Sequence, residues 1–124
     1  MYTISKEFHF SASHQLEMLP PEHQCARLHG HNYILTVELS GGQLNPVGFV
    51  MDYGELAFVK EMVDELDHQH LNEMFGFNPT SENICKYFFL QVEEELKSSQ
   101  PGVEFLGIGL SETPKTNAWY RRWL

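Results

Sequence analysis

Cysteine is scarce. Cys25 and Cys85 are the only two, too few for a disulfide framework. Cations are scarce as well: eight Lys and Arg stand against seventeen Asp and Glu, a formal net charge of −9. That balance argues against a general nucleic-acid binder, because a phosphate backbone needs a basic footprint. It still allows a small anionic substrate, since a bound metal and a few nearby cations outweigh the global sign at short range. Lys6, Arg27, Lys115, Arg121 and Arg122 are the candidate cations. No apolar run is long enough to span a bilayer. The opening MYTISKEFHFSASH has no apolar stretch of secretory-signal length. The expectation is a cytoplasmic protein with no membrane partner, in which a cysteine is more often free or catalytic than bridged.

What is present is a folding pattern. The 124 residues predict one domain over 1–124, and 42% apolar with 13% aromatic content predicts a packed core rather than disorder. Tyr2 to Leu16 places Phe8, Phe10, Ala12 and His14 on one side at period 2, the mark of a strand. LEMLPPEHQCAR reads as a loop around Pro20-Pro21. His29 to Ser40 reads as a strand, Gly41-Gly42 as a turn and Val47 to Met51 as a short strand. Asp52 and Glu55 have capping-box spacing, and Leu56, Val59, Val63 and Leu66 follow at helical spacing, so a helix is predicted from about Glu55 to Leu66. Asn78-Pro79-Thr80-Ser81 leads into a second helix with Ile84, Phe88, Val92 and Leu96 on one stripe. Val103 to Glu112 and Asn117 to Leu124 are predicted strands. Strands around a helical block indicate an α+β fold with a mostly antiparallel sheet. Open edges on such a sheet favour pairing between subunits, hence a homo-oligomer.

His29-Gly30-His31 is the sharpest local feature. On a strand, residues two apart point to the same side, so both imidazoles can reach one ion, and Gly30 would let another backbone come close. His14 ends another predicted strand and is the candidate third ligand. Zinc suits imidazole, and three protein ligands leave a fourth position for water or substrate. A cupin-like oxygenase also uses H-x-H on a strand, but the Glu expected about four residues on is absent: the next is Glu38.

Cys25 lies four residues before His29, which tethers a thiol near the metal. A thiolate beside a Lewis acid can take a proton from carbon; a fourth, structural zinc ligand or a buried small hydrophobe are the other readings. Asp67-His68 can form an acid–base pair, or simply end the first helix. His9, His23 and His70 read as surface or structural. Leu106, Ile108, Leu110 and Glu112 share a predicted strand face. A carboxylate closing an apolar face needs a partner, and the two parallel N–H donors of a cyclic 2-amino-4-oxo base would match it. Thr80 and Ser81 can add hydroxyl contacts, or cap the second helix.

The pieces FSASHQL, CARLHGHNY, GFVMDYGEL, LDHQHLN, NPTSENI and LSET run from the first strand to the last. In that order and spacing the chain resembles the pterin synthase family of 6-pyruvoyl- and 6-carboxytetrahydropterin synthases. The resemblance implies a tunnelling (T-fold) architecture: a four-stranded antiparallel sheet, two helices on one face, and ring-like barrels, commonly hexamers, with active sites between subunits. It implies zinc on His14, His29 and His31, catalysis by Cys25, Asp67 and His68, and pterin anchoring by Glu112 with Thr80 and Ser81. The three residues between Cys25 and His29 resemble the 6-carboxytetrahydropterin branch of queuosine biosynthesis; the pyruvoyl-forming enzymes usually carry a longer insert. The implied activity is a zinc-dependent lyase acting on 7,8-dihydroneopterin triphosphate. The ending KTNAWYRRWL is longer than the resemblance implies.

Overall fold

A computed structural model describes residues 1–122. Its order is β1 (Tyr2–His14), β2 (His29–Gly41), α1 (Ala57–Leu66), β3 (Gln69–His70), α2 (Leu71–Met74), α3 (Ser81–Ser99), β4 (Glu104–Thr113) and β5 (Thr116–Arg121). One sheet runs β3-β1-β2-β4-β5, with every pairing antiparallel except β1 with β3. The fold is α+β. The period-2 pattern puts Phe8, Phe10 and Ala12 of β1 and Tyr33, Leu35, Val37 and Leu39 of β2 in the core. Val59, Val63 and Leu66 of α1 and Ile84, Phe88, Val92 and Leu96 of α3 close the same core. Thr3, Ser5, Glu7 and His9, on the alternate side of β1, are exposed.

Several expectations change. The sheet has five strands rather than four; the fifth, β3, is two residues long and lies parallel to β1 at Ala12 and Ser13. A one-turn α2 adds to the two expected helices. Val47 to Met51 is not a strand. Asn45 turns its side-chain oxygen onto the N–H groups of Val47, Gly48 and Phe49 (3.1, 3.1 and 2.9 Å), taking the donors that a ladder would use. The predicted Glu55–Leu66 helix begins as a 3₁₀ turn over Tyr53–Leu56, capped by Asp52 on Gly54 N–H at 2.8 Å, before α1 proper. A bulge in β4 opposite Glu38 and Leu39 moves Phe105 into the core position predicted for Leu106. The final strand is observed as Thr116–Arg121, and Trp123 and Leu124 lie outside the described residues.

The helix-free face carries a close-packed contact between β4 and β5. Trp119 lies flat across Gly109, where an added Cβ would sit 2.8 Å from the indole ring. Arg121 stacks on Trp119 at 4.0 Å and bonds Glu38 at 3.1 Å. The indole is a rigid plate held from above by the Arg121 stack, so Gly109→Ala should lower stability by about 1–3 kcal/mol through overpacking. Thermal unfolding measures it; an unchanged midpoint would show that β5 shifts freely.

Candidate metal centre and active site

The β1–β2 register makes His14 and His29 direct cross-strand partners and sets His31 opposite Ala12. All three imidazoles project from the core side at one end of the sheet. Their ligand nitrogens lie within 4.8 Å of one another, and the rings meet edge-on at centroid separations of 4.5, 5.0 and 4.8 Å. Gly30 is not needed for close approach, since a Cβ there would meet only Ala12 O at 3.5 Å.

Two backbone carbonyls fix the tautomers. His14 Nδ1–H donates to Pro79 O at 2.8 Å and His29 Nδ1–H to Arg27 O at 2.7 Å. A carbonyl can only accept, so in the neutral rings both Nε2 atoms carry lone pairs. These face each other at 2.9 Å, which repels unless a cation or proton lies between them. His31 Nε2 is buried without a hydrogen-bond partner; Glu112 Oε2 stands 3.5 Å away. Three such nitrogens fit a divalent ion with an affinity for imidazole.

Burial lowers the pKa of His14 and His31 below the ordinary 6.5, against the pull of the Glu112 carboxylate, and so favours the neutral, ligating form. The unfolded chain takes up protons at these positions near 6.5, whereas the folded chain resists until lower pH. Below 6.5 the unfolded state therefore binds more protons and is favoured. In excess chelator, the melting midpoint should be level above about pH 7 and fall as pH drops below it. A midpoint indifferent to pH across that range would contradict the burial.

Beside the triad, Ser81 Oγ–H donates to Glu112 Oε1 at 2.6 Å. Glu112, Thr80, Ser81, Leu16, Leu110 and Ala118 line an open cavity of about 360 Å³. Thr80 accepts from Asn83 N–H at 3.1 Å and caps α3, so capping and pocket lining belong to one residue. Cys25 is half-buried in the 3₁₀ turn Gln24–Ala26. Its N–H is capped by His23 Nδ1 at 3.0 Å and its carbonyl accepts from Leu16 N–H at 2.9 Å. The Cys25 thiol does not join the ligand cluster among the described residues. Burial pushes the other thiol, Cys85, up to about 12 and leaves it inert.

Asp67 and His68 lie elsewhere. Asp67 Oδ1 accepts from Ser11 N–H at 2.8 Å, and His68 N–H donates to Ser11 O at 2.6 Å. This anchors His68 at a positive φ of 61° with its side chain 77% exposed. Its Nε2 is 4.0 Å from Asp67 Oδ1, too far for a hydrogen bond. With Ser13, Gly30, Asn32 and His70, His68 lines a cavity of about 620 Å³ that reaches His31 of the triad but does not include Glu112. His70 is tied to Ser13 Oγ at 2.9 Å. Arg121 and Arg122 pair with Glu38 and Glu93 and line neither cavity.

Residues 3–122 match the family model described as 6-pyruvoyl tetrahydropterin synthase. The chain belongs to the 6-pyruvoyl tetrahydropterin synthase family. A 6-carboxy-5,6,7,8-tetrahydropterin synthase from Synechocystis is 40% identical over 103 residues, 76% of this chain and 77% of that one. A 6-pyruvoyl tetrahydrobiopterin synthase from Dictyostelium discoideum is 32% identical over 102 residues, 71% of this chain and 76% of that one. The structure of Caenorhabditis elegans 6-pyruvoyl tetrahydropterin synthase superposes with a TM-score of 0.79 at 32% identity, covering 98% of this chain and 96% of that one. No helix among the described residues is long and apolar enough to cross a membrane.

For this family member, sequence reasoning missed the parts of the site that are backbone or amide. Pro79 contributes a carbonyl, for which no residue type is a signal. Leu16 lines the Glu112 cavity, and Asn72 and Asn78 hold the loop after β1 through Gln15 and Glu17. The two asparagines lie inside LDHQHLN and NPTSENI, the same pieces that carry the resemblance.

Proposed function

We propose that this chain is a zinc-dependent 6-carboxytetrahydropterin synthase. Its substrate is 7,8-dihydroneopterin triphosphate, and its products are 6-carboxytetrahydropterin, acetaldehyde and triphosphate, with one water consumed. The observation that carries this reading is the convergence of His14, His29 and His31 with two Nε2 lone pairs aimed at one point. Those three residues would hold the metal, which supplies a Lewis acid that makes the substrate's side-chain protons easier to lose.

The chain's own groups do the rest. Glu112, held through one oxygen by Ser81, receives the paired N–H donors of the pterin ring, with Thr80 at the pocket rim. Cys25 takes and returns the proton on the side-chain carbon. His68, aided by the nearby Asp67 charge, exchanges the second proton. Because His68 and Glu112 line different cavities of one chain, we assign His68 to the site of a neighbouring copy in a homo-oligomer, with a hexamer as the expected assembly. The open edges at β5 and along most of β1 support such pairing. A cytoplasmic location goes with the same reading.

The deciding experiment is incubation of the zinc-loaded protein with 7,8-dihydroneopterin triphosphate, read by mass spectrometry. Acetaldehyde with 6-carboxytetrahydropterin is the expected outcome. The Dictyostelium and Caenorhabditis relatives favour a second reading, 6-pyruvoyl-tetrahydropterin formation, which releases no acetaldehyde. No pterin product at all would sink both. A zinc-stabilised module without catalysis would need a closed fourth ligand, and the absence of the Cys25 thiol from the cluster weighs against it. Such a module would unfold on chelation, whereas the enzyme should keep its fold.

A further inference from the structure

The segment Gln15–Glu17 continues β1 past its last ladder pair, yet its backbone groups are bonded as though a strand lay beside it. Gln15 N–H donates to Asn72 Oδ1 at 2.9 Å, and Asn72 Nδ2 donates back to Gln15 O at 2.7 Å. Two residues on, Glu17 N–H donates to Asn78 Oδ1 at 2.9 Å, and Asn78 Nδ2 donates to Glu17 O at 3.2 Å. Between them Leu16 N–H faces the opposite way and donates to Cys25 O at 2.9 Å. A carboxamide carries a donor and an acceptor side by side, as a peptide group does. Each asparagine therefore stands in for one rung of a ladder.

The clamp touches three parts of the site. Gln15 follows His14 directly. The Leu16 side chain lines the cavity that holds Glu112. The Leu16 backbone holds the turn that carries Cys25. Asn78 is itself tied to α3, since its carbonyl accepts from Asn83 Nδ2 at 2.9 Å and from Thr80 N–H at 2.8 Å. It also immediately precedes Pro79, whose carbonyl fixes the His14 tautomer.

We propose that Asn72 and Asn78 are positioning residues: their amides extend β1 artificially through Glu17 and so set the Cys25 turn relative to the His14 ligand and the Glu112 pocket. The consequence for turnover rests on the function proposed above; the consequence for the Cys25 turn does not. Asparagine is required because a carboxylate of the same shape has no proton to donate and repels the Gln15 or Glu17 carbonyl.

The test compares Asn78→Asp and Asn72→Asp with the parent, all zinc-loaded. Cys25 alkylation by iodoacetamide is followed by mass spectrometry, with buried Cys85 as the silent internal reference. Zinc stoichiometry, melting midpoint, kcat and KM are measured alongside. For Asn78→Asp, alkylation should change by about fivefold or more, and kcat should fall by roughly 10- to 100-fold, more than KM rises, at unchanged zinc content. Asn72→Asp should move both in the same sense by less, and it carries the test if Asn78→Asp does not fold. Alkylation unchanged in the folded variants overturns the proposal whatever turnover does. So does a loss of zinc or of melting midpoint that tracks the loss of activity, because that marks general stabilisation. A parent that makes no pterin product overturns the function instead, and the alkylation rates still decide the clamp.

Discussion

Replacing Cys25 by alanine should lower turnover of dihydroneopterin triphosphate by about 10²- to 10⁴-fold, the span that a general base contributes, while leaving zinc stoichiometry unchanged. The two halves of that result test different things. Zinc should stay because the converging nitrogens of His14, His29 and His31 form a complete three-ligand set without the thiol, and two of them are held by the carbonyls of Pro79 and Arg27. Removing the thiol takes nothing from those bonds. Turnover should fall because the thiol is the group assigned to take the carbon-bound proton, while His23, the titratable neighbour that caps the turn, has its Nδ1 engaged by Cys25 N–H at 3.0 Å. Cys25→Ser keeps the size and a polar atom but not an acidic proton, so it should fall nearly as far. Metal analysis beside steady-state kinetics separates the outcomes. If zinc left with the thiol, Cys25 would be a fourth ligand and the proton-transfer role would be wrong.

Side-chain periodicity was legible in the sequence; partners far along the chain were not. The alternation of Phe8, Phe10, Ala12 and His14 and the H-x-H of β2 suffice to put three imidazoles on the inner face, because strand geometry leaves them no other side. Glu112 was legible for the same reason. Ile108 and Leu110 precede it at the same period, although the bulge that swaps Phe105 for Leu106 was not foreseeable from alternation. Asp67 shows the limit. Its neighbour in sequence is His68, so a pair is the local reading, yet its carboxylate is engaged by the N–H of Ser11, 56 residues away. Backbone donors carry no residue label, and the same holds for the carbonyls that orient His14 and His29. Asn45 reads as a turn residue, but its capture of three successive N–H groups, which cancels the expected strand, depends on how the loop closes.

Mixing two inactive variants should restore activity. Cys25→Ala and His68→Ala are each expected to be inactive alone. Refolded together in equal amounts and assembled at random, they should recover about one quarter of the parent's activity per site. The fraction follows from geometry. A site that draws Cys25 and Glu112 from one copy and His68 from its neighbour is intact only when the first copy carries the His68 lesion and the second the Cys25 lesion. Independent draws make that one arrangement in about four. The arrangement within one chain motivates this sharing: Glu112 is held by Ser81 in one cavity, whereas His68 lines another, on a segment pinned by both Ser11 bonds. Should each site instead form inside one chain, every site in the mixture would carry a lesion and the mixture would stay inactive. Native mass spectrometry, run beforehand, establishes that mixed assemblies have formed, so that an inactive mixture counts against the shared site rather than against the refolding.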